Sequence, residues 1–303
     1  MKQRKRLAVI GLGNLSSACV RAISHSDDFR LAGVVRRGEE LASGWPADLG
    51  EIPVVEHVSE LDKVEVALIC VPTEEAGGAA HDLLQRRIAV VDSVALHEKD
   101  LLQHREELDK YAVHFRSSAI VGAGWDPGGL SLVRNLFALL VPKGHTWERH
   151  RVSRQLHRIT LAGEVPGVRD VAALEVRDSA DARQRYVYVE LAEGADPARV
   201  ESAIRGDPLW AGEKIQVFAV ESIAALQDEA HGVLLERYGS AASVDHQDLL
   251  FEARVSEEAL SAQMMLAAAR LLPSAKHRAY SLFDIPPAAL WGELSAQAEH
   301  SWL

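Results

Sequence analysis

Apolar and polar residues alternate in short blocks over the first 120 residues of the chain. The blocks that predict strands are Leu7–Ile10, Leu31–Val35, Val66–Val71, Ile88–Val91 and His114–Val121. Between them, apolar residues recur at helical spacing, and the predicted helices include residues 79–86 and 99–112. Strands that are buried on both faces have continuous apolar sequences and are joined by helices. We therefore expect an α/β domain with a Rossmann-type, doubly wound parallel sheet over residues 1–122.

The pattern changes in the second half of the chain. A helix-forming run at 130–140 is followed, from about residue 173, by closely spaced strand patterns. These strands are predicted at 171–176, 185–191, 215–220, 232–238 and 249–255, with helices at 197–205 and 258–272, a strand-like segment at 279–282 and a last helix at 287–298. This order predicts an α+β domain with a mostly antiparallel sheet over residues 123–257. We expect the tail, 258–303, to pack back on the first domain.

The amino-acid composition and net charge limit the kinds of ligand that the protein can bind. The chain has 303 residues, 48% of them apolar, and a formal net charge of −11, which argues against a nucleic-acid or anionic-membrane surface and favours a small-molecule ligand. No apolar run approaches the ~20 residues of a membrane helix, and the basic start has only four apolar residues after it, too few for an export signal. The two cysteines form no disulfide framework, and the thirteen histidines show no metal-ligand spacing. We expect a cytoplasmic protein without a metal.

A dinucleotide-binding signature follows the first predicted strand. Gly11 and Gly13 begin a G-x-G-x-x-S motif in which Ser16 takes the place of the usual third small residue. The first two glycines suit a tight turn, and a pyrophosphate can lie at the positive start of the helix that Asn14 and Leu15 open. The motif alone is weak, but a second strand at the right distance completes a strand–helix–strand unit.

Two arginines end the second predicted strand. An acidic residue at this position would accept the ribose hydroxyls of NAD, whereas Arg36 and Arg37 can hold the 2′-phosphate of NADP. The alternative is that both are surface arginines on a loop. The sequence therefore predicts NADP(H) as the cofactor.

Polar residues also end the next three predicted strands. Pro72 and Thr73 follow the third strand, with Thr73 as a ribose contact, and Asp92 follows the fourth. The fifth leads into Gly122–Gly129, where four glycines and a proline predict a shaped turn that we interpret as the floor of the substrate site. The alternatives are an ordinary tight turn here and a helix cap at Asp92.

The chain resembles the meso-diaminopimelate dehydrogenase family over nearly its whole length. The matching segments are Gly11–Leu15, Cys70–Thr73, Val91–Ser93, Gly124–Gly128, Pro166–Asp170, Tyr186–Glu190 and His231–Val233. The resemblance implies an NADP-dependent oxidoreductase that interconverts an amino-acid amine centre and its imine or keto form. It also implies an amino-acid or imine substrate and a homodimer whose second domain carries substrate and dimer contacts.

The reacting end of the family's site is retained in this sequence. The resemblance implies that Asp92 and Asp126 are carboxylates near the amine and that Trp125 is a wall of the pocket. A carboxylate can hold a cationic amine and accept the proton that leaves before the hydride. For Asp126 the alternative is an Asx residue that stabilises the turn. Cofactor contacts are implied at Gly11, Gly13, Asn14, Leu15, Arg36, Arg37, Cys70, Pro72 and Thr73.

The distal end of the substrate pocket is altered. Arg185 and His231 fit the family pattern, but Glu175 stands where the family has threonine and Glu257 where it has asparagine. Two acidic groups there would disfavour a distal carboxylate and favour a basic substrate over diaminopimelate. The alternative is that either glutamate pairs with Arg185 or faces solvent.

A loop of the family pattern is also rewritten. The family's glycine-rich segment around the reacting carboxylate is here Arg151–Arg158, and its substrate contacts correspond to Arg154, Leu156 and Arg158. Arginines can bind a carboxylate bidentately, so the function can be kept by other means. Alternatively, they are solvated loop charges.

Two other functions are compatible with the sequence. One is an imine reductase that acts on a preformed imine, which the rewritten loop allows. The other is a non-catalytic, NADP-binding regulator that kept the cofactor crevice. Retention of Asp92, Trp125 and Asp126 together weighs against the regulator.

Overall fold

The computed structural model describes residues 4–36, 52–96, 98–125, 129–150, 165–177, 183–206, 214–223, 232–272 and 275–291. The chain divides into two compact units, one formed by Met1–Leu132 with Glu257–Leu303 and the other by Val133–Ser256. The strands are β1 (Lys5–Ile10), β2 (Phe29–Val35), β3 (Val54–Val55), β4 (Val66–Ile69), β5 (Ala89–Asp92), β6 (Ala119–Ile120), β7 (Lys143–His150), β8 (Val168–Arg177), β9 (Arg183–Leu191), β10 (Lys214–Val220), β11 (Gly232–Ala241), β12 (Val244–Arg254) and β13 (Ala279–Tyr280). The helices are α1 (Asn14–Ser24), α2 (Thr73–Gln85), α3 (Glu98–Phe115), α4 (Leu130–Leu140), α5 (Pro197–Gly206), α6 (Glu257–Leu271) and α7 (Pro287–Trp291).

The first unit contains a parallel sheet of seven strands in the order β13-β6-β5-β4-β1-β2-β3. From β1 the sheet continues through β2 and β3 in one direction and through β4, β5, β6 and β13 in the other. Doubly wound folds have this arrangement, and they bind ligands at the carboxyl ends of the strands. The predicted Rossmann-type sheet is confirmed. Its last strand, β13, comes from the end of the chain and pairs with β6.

Helices cover both faces of this sheet. On one face, Leu7 and Val9 of β1 pack with residues of α1 and α6. On the other face, Ala8 and Ile10 pack with residues of α2 and α3. Successive strand residues point to opposite faces, so a sheet covered on both sides needs the continuous apolar strands that the sequence contains.

The second unit contains a six-stranded sheet in the order β10-β9-β8-β7-β11-β12. Only β9 and β10 are parallel, so the predicted mostly antiparallel sheet is confirmed. Helix α5 packs Val200 and Ile204 against Val187 and Val189 of β9. The Oδ1 atom of Asp196 accepts a hydrogen bond from the amide of Ala198 at 3.0 Å and so caps this helix.

Several elements differ in extent from their predictions or were not predicted. The strand expected at 114–121 is limited to Ala119–Ile120, because α3 continues to Phe115. Arg116 ends that helix with φ of 57°, and the amide of Ser117 bonds to the carbonyl of Ala112 at 2.9 Å, a C-terminal motif usually formed by glycine. Helix α2 begins at Thr73 rather than residue 79, and β7 was not predicted.

Candidate active site

The first β-to-α turn brings the backbone close to the end of β4. Gly11 has φ of 106°, and a Cβ there would lie 2.7 Å from the carbonyl oxygen of Cys70. Gly13 is extended and has open space where a Cβ would be. Asn14 is exposed at the start of α1, whereas the side chain of Leu15 lies in the core, so that only its amide can face a phosphate. The turn and the start of α1 thus fit a pyrophosphate.

A pocket lies beside this turn, within the first unit. Its lining residues are Ile10, Gly11, Leu12, Val35, Arg36, Glu56, His57, Val58, Cys70, Val71, Pro72, Glu75, Ala79, Asp82 and Leu83. Arg36, which follows the last residue of β2, contributes a largely buried guanidinium to it. A buried arginine at this strand end fits the 2′-phosphate of NADP. Arg37 lies outside the residues that the structure describes.

The end of β4 carries the next predicted contacts. Cys70 and Pro72 both line the pocket, and Pro72 is the residue before the first turn of α2. Thr73 opens that helix, and its Oγ1 accepts a hydrogen bond from the amide of Ala95 at 3.1 Å. The Thr73 hydroxyl can still donate its own hydrogen. The loop after β5 is thereby tied to the wall of the cofactor pocket.

Asp92 ends β5 and is completely buried. Its Oδ1 accepts the amide of Gly122 at 2.6 Å, and its Oδ2 lies 2.8 Å from Nε2 of His104. Because a carboxylate only accepts, Nε2 carries the hydrogen. Burial lowers the pKa of His104, but the hydrogen bond and the charge of Asp92, with a smaller contribution from Glu107, outweigh it and raise this pKa above its ordinary value.

The segment after β6 forms a turn that favours glycine at two positions. Gly122 has φ of 69°, in the left-handed region. A Cβ on Gly124 would lie 2.5 Å from Sδ of Met265 and 2.7 Å from Cβ of Ser93. The Gly124 amide donates to the carbonyl of Asp92 at 3.2 Å, which brings the half-buried Trp125 to the carboxyl ends of β5 and β6.

These contacts bring together part of the predicted site. Trp125 and Asp92 meet at one edge of the sheet, but the Asp92 carboxylate is buried beneath the turn, and both of its oxygens already accept hydrogen bonds from protein groups. The sequence led us to expect that Asp92 contacts the amine directly. We now expect it to act indirectly, by holding Gly122 in place beneath the amine. The sequence reasoning missed His104. The available signal was its spacing from Leu108 and Ala112, which places a histidine on the buried stripe of α3.

Several predicted residues cannot be placed. Asp126, Arg154, Leu156, Arg158 and His231 lie outside the described residues, as do the side chain of Glu175 and those of its neighbours in β8.

Two predicted substrate residues are described in full. Arg185 is buried in β9, and the backbone register of β8 and β9 places it directly opposite Glu175. Glu257 is half-buried and is the first residue of α6. Glu175 and Arg185 thus form a directly opposed cross-strand pair.

Metal-ligand clusters and membrane-spanning helices are absent from the described residues. They contain no group of three or more metal-ligating side chains. Among the same residues, no helix has the length and apolar character needed to cross a membrane.

The sequence of the chain is similar to those of known oxidoreductases. Residues 5–112 match the model of an oxidoreductase family with an NAD-binding Rossmann fold. A meso-diaminopimelate D-dehydrogenase of Bacteroides fragilis is 31% identical over 284 residues, which cover 94% of each chain.

Solved structures show the same fold. The Corynebacterium glutamicum diaminopimelate dehydrogenase in complex with diaminopimelate superposes with a TM-score of 0.75, at 21% identity, over 99% of both chains. An engineered D-amino acid dehydrogenase bound to NADP⁺ superposes with a TM-score of 0.74, at 20% identity, over 99% of this chain and 100% of that one. At these identities the two structures establish the fold.

Proposed function

Because the chain belongs to the meso-diaminopimelate D-dehydrogenase family, we propose that it interconverts the amine centre of a D-configured amino acid and its imine or keto form. Membership makes it an NADP-dependent oxidoreductase that acts on an amino-acid amine centre. The direction of catalysis, the role of ammonia and the identity of the substrate's far end belong to the proposal.

One observation carries the proposal: the hydrogen bond between Asp92 and Gly122 at the carboxyl edge of the parallel sheet. This bond holds the turn that contains Trp125 at the carboxyl edge of the sheet. The pocket lined by Arg36 opens at the same edge. A non-catalytic regulator would need the cofactor pocket but not a fixed turn beside it. The retained turn therefore favours an enzyme.

When bound, NADP(H) supplies the hydride acceptor or donor. Trp125 shields the reacting carbon from water, and Asp126, the next residue, accepts the proton that the amine must lose. The buried negative charge of Asp92 favours a cationic amine or iminium above the turn. This division gives Asp126 the proton transfer and Asp92 the electrostatic role.

The far end of the substrate is proposed to be basic or neutral rather than a carboxylate. Support comes from the register of β8 and β9, which opposes Glu175 to Arg185. Opposite charges at directly opposed positions attract each other. An acidic group beside Arg185 in the pocket would repel a distal carboxylate and favour an ammonium or guanidinium.

The proposal includes a homodimer. Helix α5 covers the face of the second sheet that contains Val187 and Val189, whereas Tyr188 lies on the opposite face and stacks on the exposed Phe218. Leu250, 63% exposed, lies on the same face of the sheet as Tyr188 and Phe218. Exposed apolar side chains on one sheet face suit contact with a second copy of the chain. We also propose a cytoplasmic location, since the two cysteines form no disulfide framework.

Amine turnover tests the proposed function. NADPH oxidation is measured with 2-keto acids in the presence and absence of ammonia, and with preformed cyclic imines. Ammonia-dependent oxidation is expected. Oxidation only with preformed imines would identify an imine reductase, and NADPH binding without turnover of any of these substrates would identify a regulator.

Light scattering tests the dimer. Phe218→Glu with Leu250→Glu is expected to yield a monomer, because two charges would enter the proposed apolar interface. Val113→Glu, at an exposed apolar residue of α3 in the first unit, is the control and should leave the mass unchanged. A monomeric unmodified protein would exclude the dimer.

A further inference from the structure

His104 is a buried histidine on α3, and its ring reaches the end of β5. Its side chain is 9% exposed, and its partner Asp92 is 0% exposed. The two atoms that join them, Nε2 and Oδ2, are 2.8 Å apart. Buried polar groups of this kind are retained only when they are paired, because an isolated buried charge is costly.

The pair is connected directly to the candidate site. The second oxygen of Asp92 accepts the Gly122 amide, and the Asp92 carbonyl accepts the Gly124 amide. Gly122 has no Cβ to restrict its backbone, so the conformation it adopts, with φ of 69°, depends on contacts that hold it in place. A chain of hydrogen bonds thus runs from His104 through Asp92 to the turn immediately before Trp125.

We propose that His104 is a positioning residue for the reaction: it fixes the Asp92 carboxylate, and through it the Gly122–Trp125 turn against which the amine centre reacts. This inference rests on the proposed function. A purely structural pair would stabilise the fold without affecting the turn. The bond to Gly122 distinguishes the two roles, because it continues from the pair into the site.

The proposal has an electrostatic consequence. The groups whose charges act on His104 are Asp92, on β5, and Glu107, on its own helix. With His104 protonated, the pair with Asp92 is neutral overall; with His104 neutral, the pair carries one negative charge. A cationic amine above the turn is favoured by the second state. The kcat/KM for amine oxidation should therefore rise as His104 loses its proton.

Two variants separate positioning from stability. His104→Gln keeps a nitrogen donor near the position of Nε2 but cannot titrate, whereas His104→Leu removes the donor. In His104→Leu, kcat is expected to fall between about tenfold and 100-fold, the scale of a displaced catalytic group, with NADPH affinity unchanged. His104→Gln should recover most of kcat but lose the part of the rise of kcat/KM with pH that accompanies deprotonation of His104. His114→Gln, near the end of the same helix, is the control and should match the unmodified protein.

Amide hydrogen exchange gives a readout that does not require turnover. The Gly122 and Gly124 amides are expected to exchange faster in His104→Leu and to be protected again in His104→Gln. If the unmodified protein turns over no amine but this coupling is observed, the proposed function fails and the positioning role stands. A His104→Leu protein with a lower melting temperature but unchanged exchange at both amides and unchanged kcat would overturn the role. So would a His104→Gln protein whose kcat/KM followed the same pH profile as that of the unmodified protein.

Discussion

The thiol of Cys70 lies 3.8 Å from the thiol of Cys19, and of these two residues Cys70 lines the cofactor pocket whereas Cys19 does not. Cys70 is partly exposed in the pocket wall, whereas Cys19 is completely buried on α1. The hydrogen bond with Cys70, with burial in addition, raises the pKa of the Cys19 thiol well above its ordinary value. The thiolate is the reactive form, so Cys19 should be inert.

Alkylation should therefore report cofactor binding. We expect N-ethylmaleimide to modify Cys70 and to leave Cys19 intact in the folded protein. NADP at about 100 times its dissociation constant should slow this modification about 100-fold if the bound form is fully protected. Peptide mass spectrometry identifies the modified residue, and the denatured protein, in which both react, is the control. A rate at Cys70 that is independent of NADP would contradict protection of its thiol by the bound cofactor.

Ser16 provides a test of the third position in the dinucleotide motif. It is completely buried, and its Oγ has no hydrogen-bond partner among the described residues. Ser16→Ala is expected to stabilise the protein by ~1 kcal/mol, because it removes a buried hydroxyl that is desolvated without compensation. NADP affinity should not change, since this position serves helix–strand packing. Thermal unfolding measures the first effect and a fluorescence titration the second.

The matched control is Ser24→Ala on the same helix. The Oγ of Ser24 donates to the carbonyl of Arg21 at 2.7 Å, so its removal should give no stabilisation. A loss of NADP affinity in Ser16→Ala would mean that the hydroxyl serves the cofactor instead.

Arg36 should set the preference for NADP over NAD. Removing one charge-assisted hydrogen bond to the 2′-phosphate is expected to cost about 1.5 kcal/mol, which weakens NADP binding about tenfold. NAD binding should not weaken in Arg36→Ala, because NAD lacks that phosphate. Arg30→Ala, at an exposed residue of the same strand, is the control. Stronger binding of NAD than of NADP by the unmodified protein would exclude this assignment.

The pH dependence of stability tests the His104–Asp92 pair. Because the pKa of His104 is raised in the folded protein, the stabilisation is fully present below the unfolded value of about 6.5. It is lost as pH rises through the higher folded value. The melting temperature of the unmodified protein should therefore exceed that of His104→Gln by a margin that shrinks with rising pH. A margin that is constant from pH 5.5 to 8.5 would show that the folded pKa is not raised.

The sequence predicted most of the fold because the relevant signals are local. The apolar run at 130–140 became α4 with the same bounds, and the prediction that Asp92 ends a strand was also correct. Helix α2 was predicted too short because Gly77 and Gly78 lie inside it. Glycine disfavours a helix locally, but packing of Ala76 and Ala80 against the sheet outweighs this preference.

The environment of Asp92 could not be predicted in the same way. The pattern placed it at the carboxyl end of a strand, where ligands bind. Whether its carboxylate points to the ligand or into the protein depends on where α3 packs, since His104 reaches it from that helix. Such a contact joins elements through tertiary packing, and no local pattern encodes it. The cofactor loop was predictable because its requirements on Gly11 and Gly13 are local.

The substrate's far end should be basic. Glu175 is directly opposed to Arg185, and Glu257 begins α6 at a position where the family has asparagine. A distal carboxylate at ~4 Å from one of these glutamates, with an effective dielectric near 20, would be disfavoured by about 4 kcal/mol before relaxation. A third of that amount gives a tenfold difference in kcat/KM. We expect D-lysine, D-ornithine or D-arginine to exceed meso-diaminopimelate by at least about this factor.

The two glutamates can be tested directly. Glu175→Thr combined with Glu257→Asn restores the family's residues and is expected to raise kcat/KM for meso-diaminopimelate while lowering it for the basic amino acids. Glu193→Gln, at an exposed residue after β9, removes one negative charge from the second unit and serves as the control. It should change neither value, which separates a local effect in the pocket from a change in net charge. If meso-diaminopimelate were the best substrate of the unmodified protein, the acidic residues would not face the substrate, and the pairing of Glu175 with Arg185 would be structural only.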